Sequence, residues 1–185
     1  IADKTQNHFS TNARVNGTIQ WLDNVNKVLS SLAQRFGRPA NLTSLATSAA
    51  AEADALTSHL HALSEGMNTL PFETKEEDRE VYRFPQGDIP ATLMDLSMAL
   101  LPSMRKLCDV VEQAHELLQE AVAGNTDWQN AYEAEDWLVP VGQLQSRALA
   151  TRALFEDYSL GASRPRRYAR WLNRNFYDVE MVSAP

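Results

Sequence analysis

An all-α antiparallel four-helix bundle with extended terminal segments is the fold this sequence predicts, on three observations. Apolar residues recur at spacings of three and four along four long segments. Glycine, proline and asparagine gather at the ends of those segments. Only one short stretch, Val81-Tyr-Arg-Phe, reads as β-like. With 185 residues, 44% of them hydrophobic, the chain can bury one core of ordinary size without metal or disulfide staples. A single domain over 1–185 is therefore expected.

The elements follow in order. Residues 1–17 are polar and unpatterned and read as a flexible arm. A first helix pair spans 18–66. Ile19, Leu22, Val25, Val28, Leu29, Leu32 and Phe36 lie on the first apolar face, stopped by Gly37 and Pro39. Asn41 can cap the second helix, whose face carries Leu42, Leu45, Ala49, Ala53, Leu56, Leu60 and Leu63 and which ends at Gly66. A connector, 67–88, holds the charge-dense Glu73, Glu76, Glu77, Asp78 and Glu80 and the β-like run. The second pair occupies 89–160. Asp88 can cap its first helix with Pro90 in the first turn, and Leu93, Leu96, Leu100, Met104, Leu107, Val111 and Leu118 face inward. Pro102 is expected to kink or split that helix. An acidic loop over 125–136 follows, and a fourth helix starts near Leu138 to Val141 and runs to Gly161. The C-terminal segment, 161–185, opens with Arg164-Pro-Arg-Arg and carries Trp171, Leu172, Phe176 and Tyr177.

The formal net charge of −7 argues against a protein that coats nucleic acid through bulk positive charge. Up-down-up-down topology nevertheless sorts charges by bundle end. The first turn holds Arg35 and Arg38. The later part of helix three should return to that end with Arg105 and Lys106. Helix four should start there, bringing Arg147, with Arg152 about 8 Å further along. A local basic cluster suited to phosphate is one reading, and ordinary salt-bridged surface arginines are the other. Arg164, Arg166, Arg167, Arg170 and Arg174 should lie at the opposite end.

Between residues 109 and 136 the chain carries eight acids and no lysine or arginine. Asp109, Glu112, Glu116 and Glu120 are the candidates for a carboxylate switch. Were many copies packed side by side, their pKa values would rise, and protons or calcium would favour association. The bland alternative is a solvated face that keeps the chain soluble.

Catalytic signals are weak. Glu112 and His115 have the E-x-x-H spacing of di-iron helical proteins, but the second such pair is missing. His59 and His61 point in different directions on a helix. Cys108, the sole cysteine, falls on or beside the buried stripe of helix three. No phosphate loop, nucleophile elbow or zinc-ligand spacing occurs. The chain is therefore not expected to be an enzyme, to hold a catalytic metal or to need a cofactor. Calcium at subunit interfaces is the one cation the acids invite. No apolar run reaches the roughly 18 residues of a membrane span.

The order of these features resembles the coat proteins of rod-shaped plant RNA viruses, the tobacco mosaic, tobacco rattle and barley stripe mosaic group. Thr18-Ile-Gln-Trp-Leu-Asp opens a helix with an early tryptophan, as in several members. Val81-Tyr-Arg-Phe, then Pro90 and Ala99-Leu-Leu, is similar to the family's lead into its third helix. Arg105 and Lys106 fall near the tobacco mosaic type's RNA-contacting arginines, about six residues later relative to the Val-Tyr-Arg stretch. Tyr168-Ala-Arg-Trp-Leu-Asn-Arg-Asn-Phe-Tyr-Asp resembles the closing Arg-x-x-Phe-Glu pattern. Here Asn173 replaces its arginine and Tyr177 its glutamate, and the segment before it is longer.

The resemblance implies a capsid subunit that polymerises into a helical rod and encloses single-stranded genomic RNA, each copy neutralising about three phosphates without reading sequence. It implies Arg35, Arg38, Arg105, Lys106, Arg147 and Arg152 at the RNA. Trp21, Trp171, Arg174, Phe176 and Tyr177 would serve subunit packing, or, for the apolar ones, the bundle's own core. The partners would be viral RNA and further copies of the chain, in the virion and, during assembly, the host cytoplasm. The alternative is a cellular all-α interaction, adaptor or chaperone-like protein that stays small and ignores RNA.

Overall fold

The structure, a computed structural model, describes residues 11–74, 79–161 and 168–184. Residues 1–10 of the expected arm, and Arg164, Arg166 and Arg167, lie outside the described residues. Four long helices make the molecule: α1 (Val15–Arg35), α2 (Ala40–Asn68), α3 (Ala91–Val122) and α4 (Ala134–Leu160). Each packs against the next in antiparallel order, and α1 and α4 touch only slightly. The axis of the bundle is filled by leucine. Leu22, Leu29 and Leu32 of α1, Leu56, Leu60 and Leu63 of α2, Leu100 and Leu118 of α3 and Leu154 of α4 are all buried. Each such side chain stabilises the fold by about 1.5–3 kcal/mol relative to exposure.

One end of the bundle carries a sheet that the sequence reading expected only at Val81. Five strands, β1 (Thr11–Arg14), β2 (Glu73–Thr74), β3 (Glu80–Arg83), β4 (Ala169–Arg174) and β5 (Val179–Ala184), lie in the order β1-β5-β4-β3-β2. All pairs are antiparallel, with Thr11 opposite Ser183, Trp171 opposite Val182 and Arg83 opposite Trp171. The strands before α1, between α2 and α3 and after α4 are thereby tied together at the same end. At the other end sit the 36–39 turn and the 123–133 loop, where the Phe36 and Trp128 rings meet at 5.2 Å.

Several helix boundaries differ from expectation, each for a local reason. The α1 helix begins at Val15, because the Asp178 carboxylate accepts the backbone N–H groups of Asn16 at 2.8 Å and Gly17 at 3.0 Å. A distant carboxylate thus does what an adjacent cap would do. Residues 11–14 of the expected arm are strand β1, not a flexible tail. Pro39, not Asn41, precedes α2, and Gly66 does not stop it; the helix continues to Asn68 and buries Met67. Pro90, not Asp88, is the residue before α3. Pro102 stands inside α3 without splitting it. The α4 helix starts at Ala134, shortening the expected acidic loop, and carries Pro140 within it.

The first-turn stop is as expected. Gly37 has φ +81°, and Gly37 and Arg38 donate to the carbonyls of Gln34 and Ala33. This closes α1 with a left-handed glycine turn.

Candidate nucleic-acid and self-association interfaces

The six candidate phosphate-binding cations divide into three groups rather than one. Arg35 and Arg38 lie at the turn end. Arg35 makes a bidentate ion pair with Glu133, while Asn130 donates to its carbonyl oxygen at 3.0 Å. The guanidinium holds the Glu133 carboxyl below the ordinary glutamate range. Arg38 is exposed, has φ +56° and has no ion pair among the described residues.

Arg105, Lys106 and Arg152 form a second group midway along the bundle. Arg152 bonds Glu156 at 2.9 Å, Arg105 approaches the same carboxylate at 3.8 Å, and Lys106 reaches Glu52 on α2 at 3.8 Å. Arg152 also neighbours the buried Cys108, whose thiol is pushed up by desolvation.

Arg147 stands apart. Its guanidinium lies 5.5 Å from the centre of the Trp21 ring and donates to the Gly17 carbonyl at 3.3 Å. It thus faces the start of α1, about 21 Å along α4 from Glu133. The expected convergence on the turn end therefore does not occur. The α3 and α4 helices run for 32 and 27 residues, which places Arg105, Arg147 and Arg152 in mid-helix or nearer the sheet.

The four switch candidates do share a face. Asp109, Glu112, Glu116 and Glu120 are all exposed and recur at three- and four-residue spacing over the turn-end half of α3. Glu120 accepts from Asn125 Nδ2 at 2.8 Å. Glu116 and Glu120 edge a groove of about 600 Å³ between α2 and α3, with Asn41, Ser44 and Gln113. Among the described residues no group of three His, Cys, Asp or Glu could hold a metal ion. Among the described residues no helix is long and apolar enough to cross a membrane.

The packing candidates separate by exposure. Trp21 is buried in the core, and Trp171 is half-buried in β4. Arg174 is held within its own chain, bonded to Glu80 at 2.9 Å and stacked over Phe72 at 4.1 Å. That pairing lowers the Glu80 carboxyl from its ordinary range and raises the guanidinium. Phe176 and Tyr177, by contrast, are 94% and 80% exposed on the β4–β5 turn. Their rings meet each other edge-on at 5.2 Å. Asn175 Oδ1 accepts from the Tyr177 and Asp178 N–H groups, fixing the turn.

One constellation escaped the sequence reading. Arg170 lies in β4 with its side chain turned inward and buried. Its Nε and Nη2 hold both oxygens of Asp157 at 2.8 and 3.0 Å, and it also donates to the carbonyls of Gly87 and Gly161. Ser183 donates to the same carboxylate at 2.7 Å. Next to it, Tyr158 places its hydroxyl 2.9 Å from Val182 O and 3.1 Å from Trp171 O. The sequence signal was the alternation Arg170, Leu172 inward against Trp171, Asn173 outward, masked by the charge of the arginine.

A scan of protein-family models and a search of curated proteins both find no match to this chain.

Proposed function

We propose that this chain is a structural subunit that polymerises into a helical rod and encloses single-stranded RNA through sequence-independent phosphate contacts. The sorting of exposed groups along α3 is the observation that carries the reading. Met98 lies towards the sheet, Arg105 and Lys106 lie midway, and Asp109, Glu112, Glu116 and Glu120 lie towards the turn end. A rod of bundles laid side by side gives each band a task. The basic band, joined by Arg152, meets phosphate, for which arginine's fork is well suited. The acidic band brings like charges of neighbouring copies together, so that protonation or calcium favours the rod. The resemblance to rod-virus coat proteins points the same way, and the reading requires no catalysis and no cofactor.

Carboxylates already sit beside Arg35, Arg105, Lys106 and Arg152, and this favours a second reading, a small all-α interaction or chaperone-like protein. Electron microscopy of the purified chain, with and without single-stranded RNA, at mildly acidic and neutral pH, separates the two. The coat reading expects rigid rods that protect RNA from nuclease. It also expects Arg105→Ala with Lys106→Ala to cut protected RNA by about tenfold or more, while Lys27→Ala leaves it unchanged. Small discrete particles in every condition, with or without RNA, would overturn it in favour of the interaction protein.

A further inference from the structure

We propose that the groove between the first turns of α2 and the last turns of α3 binds a linear aliphatic polyamine, such as spermidine, one molecule to each chain. The inference goes beyond the proposed function and does not depend on assembly, because every group it uses belongs to a single copy.

The groove is a concavity of about 600 Å³ at the turn end of the bundle, where the 36–39 turn and the 123–133 loop are described throughout. Its floor is apolar. Leu45 of α2 is buried there, and Leu117 of α3 is half-buried against the core. Its exposed rim carries Glu116 and Glu120 of α3, with the amides of Asn41 and Gln113.

The charge of this lining calls for a cation. Neither carboxylate has an ion pair among the described residues, and Glu120 is met only by the neutral Asn125 amide at 2.8 Å. The 29 residues of α2 include no lysine or arginine, and none occurs from residue 107 to residue 146. Arg38, on the turn before α2, is not among the residues that line the groove.

Shape decides which kind of cation fits. Glu116 and Glu120 stand four residues apart, about 6 Å along α3, a separation that two ammonium groups joined by four methylenes also span. The methylenes between them would lie over Leu45 and Leu117 and leave water in doing so, while the ammonium groups stay at the wet rim. A metal ion instead needs its ligands to converge on one point, and among the described residues no group of three His, Cys, Asp or Glu does so. Carboxylates spread along a helix suit charges spread along a chain.

Equilibrium dialysis of the full chain against labelled spermidine tests this, and it reads binding in any state of assembly. Glu116→Gln with Glu120→Gln should weaken binding by about tenfold or more. Asp54→Asn with Glu65→Gln removes the same charge from exposed positions elsewhere on α2 and should change it by less than about twofold. Leu117→Asn should weaken binding at constant charge, and 1-aminobutane, with one ammonium group, should bind about tenfold more weakly than spermidine. Circular dichroism checks that each variant keeps wild-type helicity. Equal losses in the two charge variants would reduce the effect to bulk attraction by an acidic protein and overturn the proposal. Complete displacement of spermidine by magnesium at equal charge concentration would overturn it too. So would tighter binding of lysyl-lysine amide, which carries the same three charges and would assign the groove to a basic peptide. A wild type that binds spermidine at these carboxylates yet never forms rods upholds this inference while the coat reading fails.

Discussion

At the residue scale, the position that decides most is Arg170. A charged strand residue turned inward is costly unless every donor is met, and here the guanidinium meets a carboxylate and two backbone carbonyls. It thereby ties β4 to the end of α4 and to the turn before α3. Removing it takes from the buried Asp157 carboxylate the two guanidinium bonds it accepts. Arg170→Leu should therefore destabilise the fold by about 3–5 kcal/mol in urea unfolding. Arg79→Ala, which loses an exposed bond to Asn173, should stay within about 0.5 kcal/mol. Equal effects of the two would refute the structural role assigned to Arg170.

At the element scale, the turn end is closed by one exposed clasp. Arg35, the last residue of α1, holds Glu133, the residue before α4, and Asn130 holds the Arg35 carbonyl. Because pairing depresses the Glu133 carboxyl, its contribution is present above the unfolded glutamate value of about 4.3 and is lost as pH falls through the lower folded value. Hydrogen exchange at 36–39 and 130–133 should therefore quicken below about pH 4 relative to the middle of α3. Glu133→Gln should show that faster exchange already at neutral pH. The sheet end carries its own carboxylate lowered by pairing, Glu80 beside Arg174, in addition to the buried Arg170–Asp157 pair.

At the scale of the whole molecule, a net charge of −7 coexists with a basic band, so the RNA binding proposed above would be local and strongly screened. If the proposed coat reading holds, with the roughly three phosphates per subunit that the resemblance implies, the logarithm of the RNA affinity should fall with the logarithm of salt at a slope of about −2. Replacing Arg105 and Lys106 by alanine should remove about 1.4 from that slope, measured by filter binding under conditions where rods do not form. An unchanged slope would place the phosphate contacts elsewhere, with exposed Arg38 the first residue to examine.

The helices were legible in the sequence because their signals are local. Apolar residues at three- and four-residue spacing drew the buried faces, and Gly37 and Gly124 marked two helix ends through left-handed backbone that glycine adopts without strain. The shared face of Asp109, Glu112, Glu116 and Glu120 was readable for the same reason. What the sequence could not disclose depends on partners distant along the chain. Asp178 starts α1 from 162 residues away, the sheet joins strands from both halves of the molecule, and Arg170 reads as a surface cation until Asp157 is brought beside it. The phosphate candidates divided for a related reason. Topology orders the helices, but helix length sets where along them each arginine falls, and 1.5 Å per residue over such long helices carries Arg147 and Arg152 well away from the turn that holds Arg35.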